Sequence, residues 1–583
     1  MRHFAPLALL LLGMAVASGA YLQALDYPFI SDDLVYVTNN LKLRGLHWAE
    51  LWRLFVEPYN VFEFLPLRDF SYWLDMSLSG VYPSAFRTDS ILLYLVCCLL
   101  VYGATLSLWQ LFRPLDAASA PWAAAAVALI FALHPAHVEA VVWISGRKDV
   151  LSGMFSALAL WLAVSAKREG GLAPRYAAAT MIALLAAMFS KATMVVVAPI
   201  IALLWMVFWK DSPSPVSRKR AVWLWIAALL AVAACAFALF TAHSTVREPA
   251  YYGFEAVTRA LAILGELLRL AVTPGSRHFF YPVFESAGFP AMVALGGAVL
   301  LAAVAGTVAL LRRRSLDGFA LAALVLLCLP YMQLLPYGTH SLVSDRFLFL
   351  AVWPVALLLV ALLWRLALAP RIVLLSLVIL PLAFQTIERP RDWRSFDALT
   401  EADYRAYPGY FMPAACKVMY VQLTQGLYAE ALVTANSIAN PEVKDIMVKQ
   451  VYAEHAVFVR FASTGNLNEA TSRLMDWGEA LKQKPEQAMW NAPMKRIWEK
   501  SAEEMENIWR LLAAKLPDNM SIRYNAGVSL MGIGRDEPAI AYLRAALAQP
   551  YPDKLAYCAL AKAYRNTGRP DEAARADTEC HAR

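Results

Sequence analysis

The chain is short of charge. Only 17% of its 583 residues are Asp, Glu, Lys or Arg, against 60% apolar ones, where a soluble domain carries about 25% charged residues. That shortage excludes an ordinary soluble protein. Cysteine is sparse as well: there are seven, none in CxxC spacing, and Cys97 and Cys98 sit inside an apolar run. No zinc or disulfide framework follows from such spacing. Cys558 and Cys580 both lie in the tail, but spacing alone does not pair them, so free and mostly buried thiols are expected. A gathered basic patch is also missing. The net charge is +7, yet the cations fall in short clusters between apolar runs: Lys167, Arg168 and Arg175; Arg218, Lys219 and Arg220; Arg312, Arg313 and Arg314; Arg365 and Arg371. This is the positive-inside pattern of cytoplasmic loops. The charge reports topology, and no nucleic-acid partner is expected.

What is present is a series of apolar runs of roughly 17 to 25 residues, the length that spans a bilayer. The expected fold is all-α, a polytopic transmembrane bundle of about eleven spans, with the N-terminus inside and the C-terminus outside. The first run begins after Arg2 and passes through AVASGA, which resembles a cleavage site. At about 20 residues it fits a retained span better than a signal peptide. Residues 26–89 then form a long external loop. Further spans are expected near 90–111, 121–136, 149–165, 176–190, 192–209, 221–241, 291–311, 318–335, 347–366 and 371–387. The stretch 257–272 is helical by its period but carries Arg259, Glu266 and Arg269. It is expected as an interfacial or re-entrant helix, because spanning would place arginines on the wrong side.

Beyond Arg389 the composition becomes soluble and mixed in charge. YNAGVSLMGIGRDEPAIAYLRAAL (524–547) and YCALAKAYRNTGRPDEAARADTEC (557–580) match with Gly534 over Gly568 and Ala539 over Ala573, both 34 residues apart. A third match, at 420–435, keeps Gly426 and Ala431 at the same offset. A period of 34 is that of tetratricopeptide helix pairs, which need neighbours to bury their apolar faces. The domains are therefore 1–387, a membrane unit, and 388–583, a repeat solenoid that binds peptides or braces its neighbours.

Chemistry-bearing residues collect outside the membrane. FISDDLVYVTNN (29–40) carries the acid pair Asp32 and Asp33. FALHPAHVEAVVWISGRKDVLSGMF (131–155) places His134, His137, Glu139, Arg147, Lys148 and Asp149 in one hairpin. Ser190–Lys191 tips the next hairpin, and YGTHSLVSDRFLFL (337–350) adds His340, Asp345 and Arg346. Ionisable groups at membrane depth are costly and mark function. His-x-x-His also admits a metal site, but Pro135 breaks that helix and no third ligand is identifiable, so no metal is assigned. Cations at a membrane surface suit a phosphate headgroup, and a nearby carboxylate suits removal of a hydroxyl proton. Together they point to transfer from a lipid-linked phosphate donor. The aromatics of VFEFLPLRDFSYW (61–73) are expected to dock the first loop on the bilayer or to belong to the site.

The chain resembles the transmembrane and tetratricopeptide-repeat proteins, whose animal members are O-mannosyltransferases, and more closely their bacterial relatives. The resemblance rests on SDDLVYVTNN, PLRDFSYWLD, LHPAHVEAVVWISGRKDVLS, SK, SDRFLFLA and the terminal repeats. It implies a GT-C fold glycosyltransferase of the bacterial inner membrane, facing the periplasm, with a polyprenyl-phosphate-linked sugar as donor and no nucleotide sugar or certain cofactor. Carried over by position, Asp33 or Asp32 is the base that activates an acceptor hydroxyl. Arg147, Lys191 and Arg346 are candidates for the donor phosphate, with His134, His137, Glu139, His340 and Asp345 in support. The first loop departs from the family in having Leu65 before the Pro, where relatives often have Arg or His, and Arg68 supplies a cation three residues later. The expected function is inverting sugar transfer to an acceptor hydroxyl on protein, held by the repeats. The alternatives are a lipid-linked glycan ligase and a non-catalytic scaffold.

Overall fold

The computed structural model describes residues 4–38, 40–57, 59, 63–168, 174–208, 253–274, 279, 281, 283, 288–334, 342–406, 415, 418–419, 428–438, 444–445, 447–448, 451, 510, 520–532, 535–548 and 554–582. Among the described residues there is no strand, and the fold is all-α. By internal contacts the chain divides into two units, Met1–Tyr407 and Pro408–Arg583.

In the first unit, α1 (Phe4–Leu22), α4 (Pro83–Phe112), α7 (Arg147–Arg168), α11 (Phe289–Arg313) and α14 (Leu368–Glu388) are built around stretches long and apolar enough to cross a membrane. Five shorter apolar helices accompany them: α5 (Ala120–Ala132), α8 (Pro174–Ser190), α9 (Val197–Val207), α12 (Leu316–Cys328) and α13 (Val352–Leu363). The span expected at 221–241 and the basic cluster at 218–220 lie outside the described residues. Proline opens α4, and Arg113–Pro114 follow its end, as expected for a residue that fits a first turn but not an interior. Leu368, Ile372, Val373, Leu377, Leu380 and Phe384 of α14 are all exposed. An apolar surface this long has no place in water and fits lipid.

α10 (Gly253–Val272) buries Ala260, Ile263, Leu264, Leu267 and Leu270. A Cβ on Gly265 would lie 2.1 Å from the Met292 carbonyl oxygen, and one on Gly296 would lie 1.9 Å from that of Leu261. The two glycines thus bring α10 and α11 backbone to backbone, antiparallel. The stretch expected as an interfacial or re-entrant helix is helical and packs along α11. Its charges pair locally, Glu255 with Arg259 and Glu266 with Arg269.

The first loop has its own small core. The π-turn Leu34–Thr38, α2 (Leu41–Arg44), the 3-10 helix Trp48–Phe55 and α3 (Pro66–Ser79) meet over Tyr36, Val37, Leu43, Leu54, Tyr72 and Trp73. Tyr72 and Trp73 are buried, and the Trp73 indole donates to the Leu46 carbonyl at 2.9 Å. These two aromatics of the 61–73 stretch therefore do not dock on a bilayer.

In the second unit, α17 (Met520–Gly532) and α18 (Asp536–Leu547) are followed by α19 (Lys554–Asn566) and α20 (Pro570–Ala582). The starts of matching helices are again 34 apart (554 − 520 = 570 − 536 = 34). Ala539 and Ala573 are buried, and Gly568, at φ +72, makes the turn between α19 and α20. Gly534 and Gly426 lie outside the described residues. Cys558 and Cys580 join α19 to α20 as a disulfide, where free thiols were expected; the helix pairing supplies the proximity that sequence spacing could not. Cys97, Cys98 and Cys328 are free and buried.

Candidate functional site

The two adjacent acids part company. Ser31 takes a left-handed φ of +53, unusual for a residue with a side chain, and the chain turns sharply into the acid pair. Asp33 is fully buried. Its Oδ1 accepts from the Ser145 amide (2.8 Å) and hydroxyl (2.5 Å), and its Oδ2 accepts from the Ile30 amide (3.2 Å). The receiving turn can form because residue 146 is glycine: a Cβ there would lie 2.8 Å from both Ala140 Cα and the Glu139 carbonyl oxygen. Burial pushes the Asp33 carboxyl up to about 6, against the hydrogen bonds that favour its charge. This carboxylate fastens the first loop to the second hairpin, and the geometry argues against it as the base. Asp32 is half-buried, and among the described residues its carboxylate accepts one long bond, from Ser31 Oγ at 3.4 Å.

Arg147 and Lys148 divide in the same way, since neighbours on a helix point about 100° apart. Arg147 is fully buried, bound to Asp75 (2.6 Å), the Phe86 carbonyl (2.5 Å) and Ser90 Oγ (3.1 Å). Burial raises the Asp75 carboxyl to about 7, with Arg147 pulling the other way. Arg147 braces α7 against α3 and α4, so its role as a phosphate ligand is not supported. Lys148 turns to another face of α7 and donates to both oxygens of Glu63 (2.6 and 2.9 Å). Arg68 holds the same carboxylate at 2.5 Å and Asp69 at 2.8 Å. Arg68 lies 4.6 Å and Lys148 5.9 Å from the centre of the Tyr36 ring.

Two further cations reach this region. Lys191 pairs with Asp149 at 2.5 Å, beside the rings of Tyr331 and Phe347. Arg346 pairs with Glu139, which also accepts from the Arg346 amide at 3.0 Å, and lies over Trp143 at 5.2 Å. Burial raises the Tyr36 hydroxyl, and the charges of Glu63, Arg68, Asp32 and Arg346 all act on it. The Tyr36 amide also donates to the Asp32 carbonyl at 2.9 Å, which puts Asp32 one turn before the ring that Arg68 and Lys148 flank.

The supporting residues fall elsewhere. Asp345 binds Arg389 and the Tyr281 hydroxyl (2.5 Å) rather than orienting a donor cation, and burial raises it to about 6. A carbonyl can only accept, so His134 Nε2 donates to Ala271 O (3.0 Å) and His137 Nε2 to Phe349 O (2.9 Å). Their Nδ1 atoms accept from the Ala136 amide and the Tyr94 hydroxyl. Both rings are thus neutral clamps with no lone pair left for a metal. His340 lies outside the described residues. Sequence reasoning left Tyr36, Glu63, Asp75 and Lys148 without roles. Lys148 stood beside an arginine in the same motif, and only the helical phase separates the two.

No family model matches the chain. Three curated relatives do: Protein O-mannosyl-transferase F38B6.6 of Caenorhabditis elegans, 27% identical over 151 residues (25% of this chain, 21% of the relative); and Protein O-mannosyl-transferase TMTC1 of Mus musculus, 31% identical over 148 residues (24% and 15%), and of Homo sapiens, 30% over 148 (24% and 16%). The match thus spans only 15–21% of these relatives' lengths. Among solved structures, MamA AMB-1 aligns at 18% identity and TM-score 0.17, covering 29% of this chain and 88% of its own. The P58(IPK) TPR domain aligns at 14% and 0.15, covering 71% and 98%. TM-scores this low establish no shared fold.

Proposed function

We propose that the chain is an integral-membrane inverting glycosyltransferase that moves a sugar from a polyprenyl-phosphate carrier to an acceptor hydroxyl at the external face, with Asp32 as the base. The observation that carries this reading is the half-buried Asp32, whose backbone carbonyl accepts from the Tyr36 amide at 2.9 Å, one turn before a ring flanked by Arg68 and Lys148. Asp32 takes the proton of the acceptor hydroxyl. The freed oxygen bonds to the anomeric carbon from the face opposite the phosphate, the carbon–oxygen bond to phosphate breaks, and polyprenyl phosphate leaves with the electron pair. The cations stabilise the charge that develops on the leaving phosphate, and Lys191 stands beside them.

A groove of ≈ 890 Å³ runs between α10, α11, α12, α13 and α14, walled among the described residues by such side chains as Leu268, Val299, Leu324, Val355 and Leu382. It suits an isoprenoid chain. The Cys558–Cys580 disulfide favours an oxidising compartment for the repeats, in keeping with a periplasmic face, where they would present a protein acceptor. The relatives' names make mannose the first sugar to try.

The test is label transfer in membranes supplied with radiolabelled polyprenyl-phosphate mannose and, in parallel, other sugars. Wild type should label protein, and Asp32→Asn should lose roughly 10²- to 10⁴-fold, the contribution of a general base, with its thermal midpoint unchanged. Equal label in both would remove Asp32 from the chemistry. No label from any donor in wild type would leave the ligase and scaffold readings.

A further inference from the structure

Glu63 has an odd placement. Its partners are deep, Arg68 with 0% and Lys148 with 11% of the side chain exposed, while Glu63 itself keeps 32% in contact with solvent. The carboxylate therefore sits as a cover over two buried cations, with the Tyr36 ring beside them. We propose that Glu63 fills an anion seat formed by Arg68 and Lys148, and that the donor's phosphodiester takes this seat by displacing the carboxylate. This rests on the transferase reading above and names the part of the site that binds phosphate.

Charge balance decides the ligand class. Arg68 and Lys148 carry two positive charges, and Asp69 and Glu63 carry two negative ones. Asp69 adjoins Arg68 in the chain and stays with it when Glu63 leaves. What then remains uncompensated is one positive charge, beneath the position Glu63 held. A lipid phosphate esterified to a sugar is a phosphodiester with one negative charge, so it replaces Glu63 one for one. A lipid diphosphate brings at least one further charge for which the seat has no counterpart. Burial acts to raise the Glu63 carboxyl, yet Lys148 and Arg68 override it and hold it down at about 2; the seat strongly prefers an anion. The forked guanidinium and the point-charge ammonium also offer donors from two directions, which a tetrahedral oxyanion can use better than a planar carboxylate. The self-filled seat keeps the cations neutralised between turnovers, where leaving them unpaired would be costly.

The experiment uses the full chain in detergent and three probes: farnesyl methyl phosphodiester, farnesyl phosphate and farnesyl diphosphate. Affinities are measured for wild type, Glu63→Gln and Glu63→Gln/Lys148→Gln. Glu63→Gln should bind the phosphodiester about tenfold or more tighter than wild type, about 1.4 kcal/mol, and should favour it over the diphosphate. Adding Lys148→Gln should erase the gain. Glu63→Asp, which keeps the charge but shortens its reach, should show an intermediate gain, and it serves if the Gln variant does not fold. No gain in either variant, or a gain that survives Lys148→Gln, overturns the seat. A diphosphate preference overturns the one-for-one replacement. If the wild type transfers label but neither Glu63 variant gains affinity, the seat fails and the transferase stands. If the gain appears and no sugar is ever transferred, the transferase fails and the anion seat stands.

Discussion

Two shells around the first loop and the second hairpin use the same residue types for opposite ends. The inner shell holds Asp33 on Ser145, Arg147 on Asp75, and both histidines on backbone carbonyls. The outer rim holds Asp32, Glu63, Lys148 and Arg346, each with a measure of exposure. One residue of sequence separates Asp32 from Asp33 and Lys148 from Arg147. Residue type and motif membership therefore do not assign a role; depth does. A buried group tied to partners across the fold serves as a joint, and the group next to it in sequence keeps a face open.

The comparison breaks most visibly at the 147–148 pair. Arg147→Gln removes the partner of a buried carboxylate, which costs about 3–5 kcal/mol, so its thermal midpoint in detergent should fall sharply or the protein should fail to assemble. Lys148→Gln leaves Glu63 still held by Arg68 and should cost about 1 kcal/mol or less, because that pair is partly open to solvent. Equal losses in the two variants would abolish the distinction between the shells.

A smaller effect sharpens it. Asp33 has its folded pKa raised to about 6 from an ordinary 3.8, so the native state holds its proton longer than the unfolded chain does. Stability from this group is complete below about 3.8 and declines as pH rises through about 6, a change on the order of 2–3 kcal/mol. Asp345 (about 6) and Asp75 (about 7) act in the same direction. Glu63, lowered to about 2, acts oppositely and only at more acid pH. Thermal midpoints between pH 4.5 and 7.5 should therefore fall with rising pH in wild type and fall less in Asp33→Asn. Parallel curves would remove Asp33 from the inner shell.

Much of this division was beyond the sequence. The all-α fold and the 34-residue repeat were legible because helical length and period are local properties, written in runs such as 83–112 and in Ala539 and Ala573. The polar stretches were legible as a set, since 29–40, 131–155 and 344–346 are dense in costly groups. Which member of each pair lay inside was not. That depends on the left-handed Ser31, on the tight turn at Gly146, and on partners such as Asp75 and Glu63 that are 72 and 85 residues from the cations they meet (147 − 75 = 72; 148 − 63 = 85). The Cys558–Cys580 bond is of the same kind, since its 22-residue separation says nothing until α19 and α20 are laid side by side.

The smallest effect lies where the rim meets lipid. In the 3-10 helix 48–55, residues three apart share a face. Trp52 (61% exposed) and Phe55 (43%) form one stripe, while Leu54 is buried. Phe55 packs edge-on against Phe189 near the C-terminal end of α8, ring centres 5.9 Å apart, so the stripe continues from a helix of the membrane unit. Tryptophan at that level belongs to the headgroup zone. A nitroxide on Trp52→Cys, in vesicles, should be more accessible to oxygen than to a water-soluble nickel complex, and one on Glu50→Cys should show the reverse. Trp52→Ser should change sugar transfer less than about fivefold, roughly 1 kcal/mol. If the label at residue 52 is open to water, the stripe is not a lipid anchor. The first loop would then be held by its polar ties, Asp33 on Ser145, Arg87 on the Val142 carbonyl, Tyr72 on the Ile144 carbonyl and Asp75 on Arg147 among them, and these would set the position of Asp32 without help from lipid.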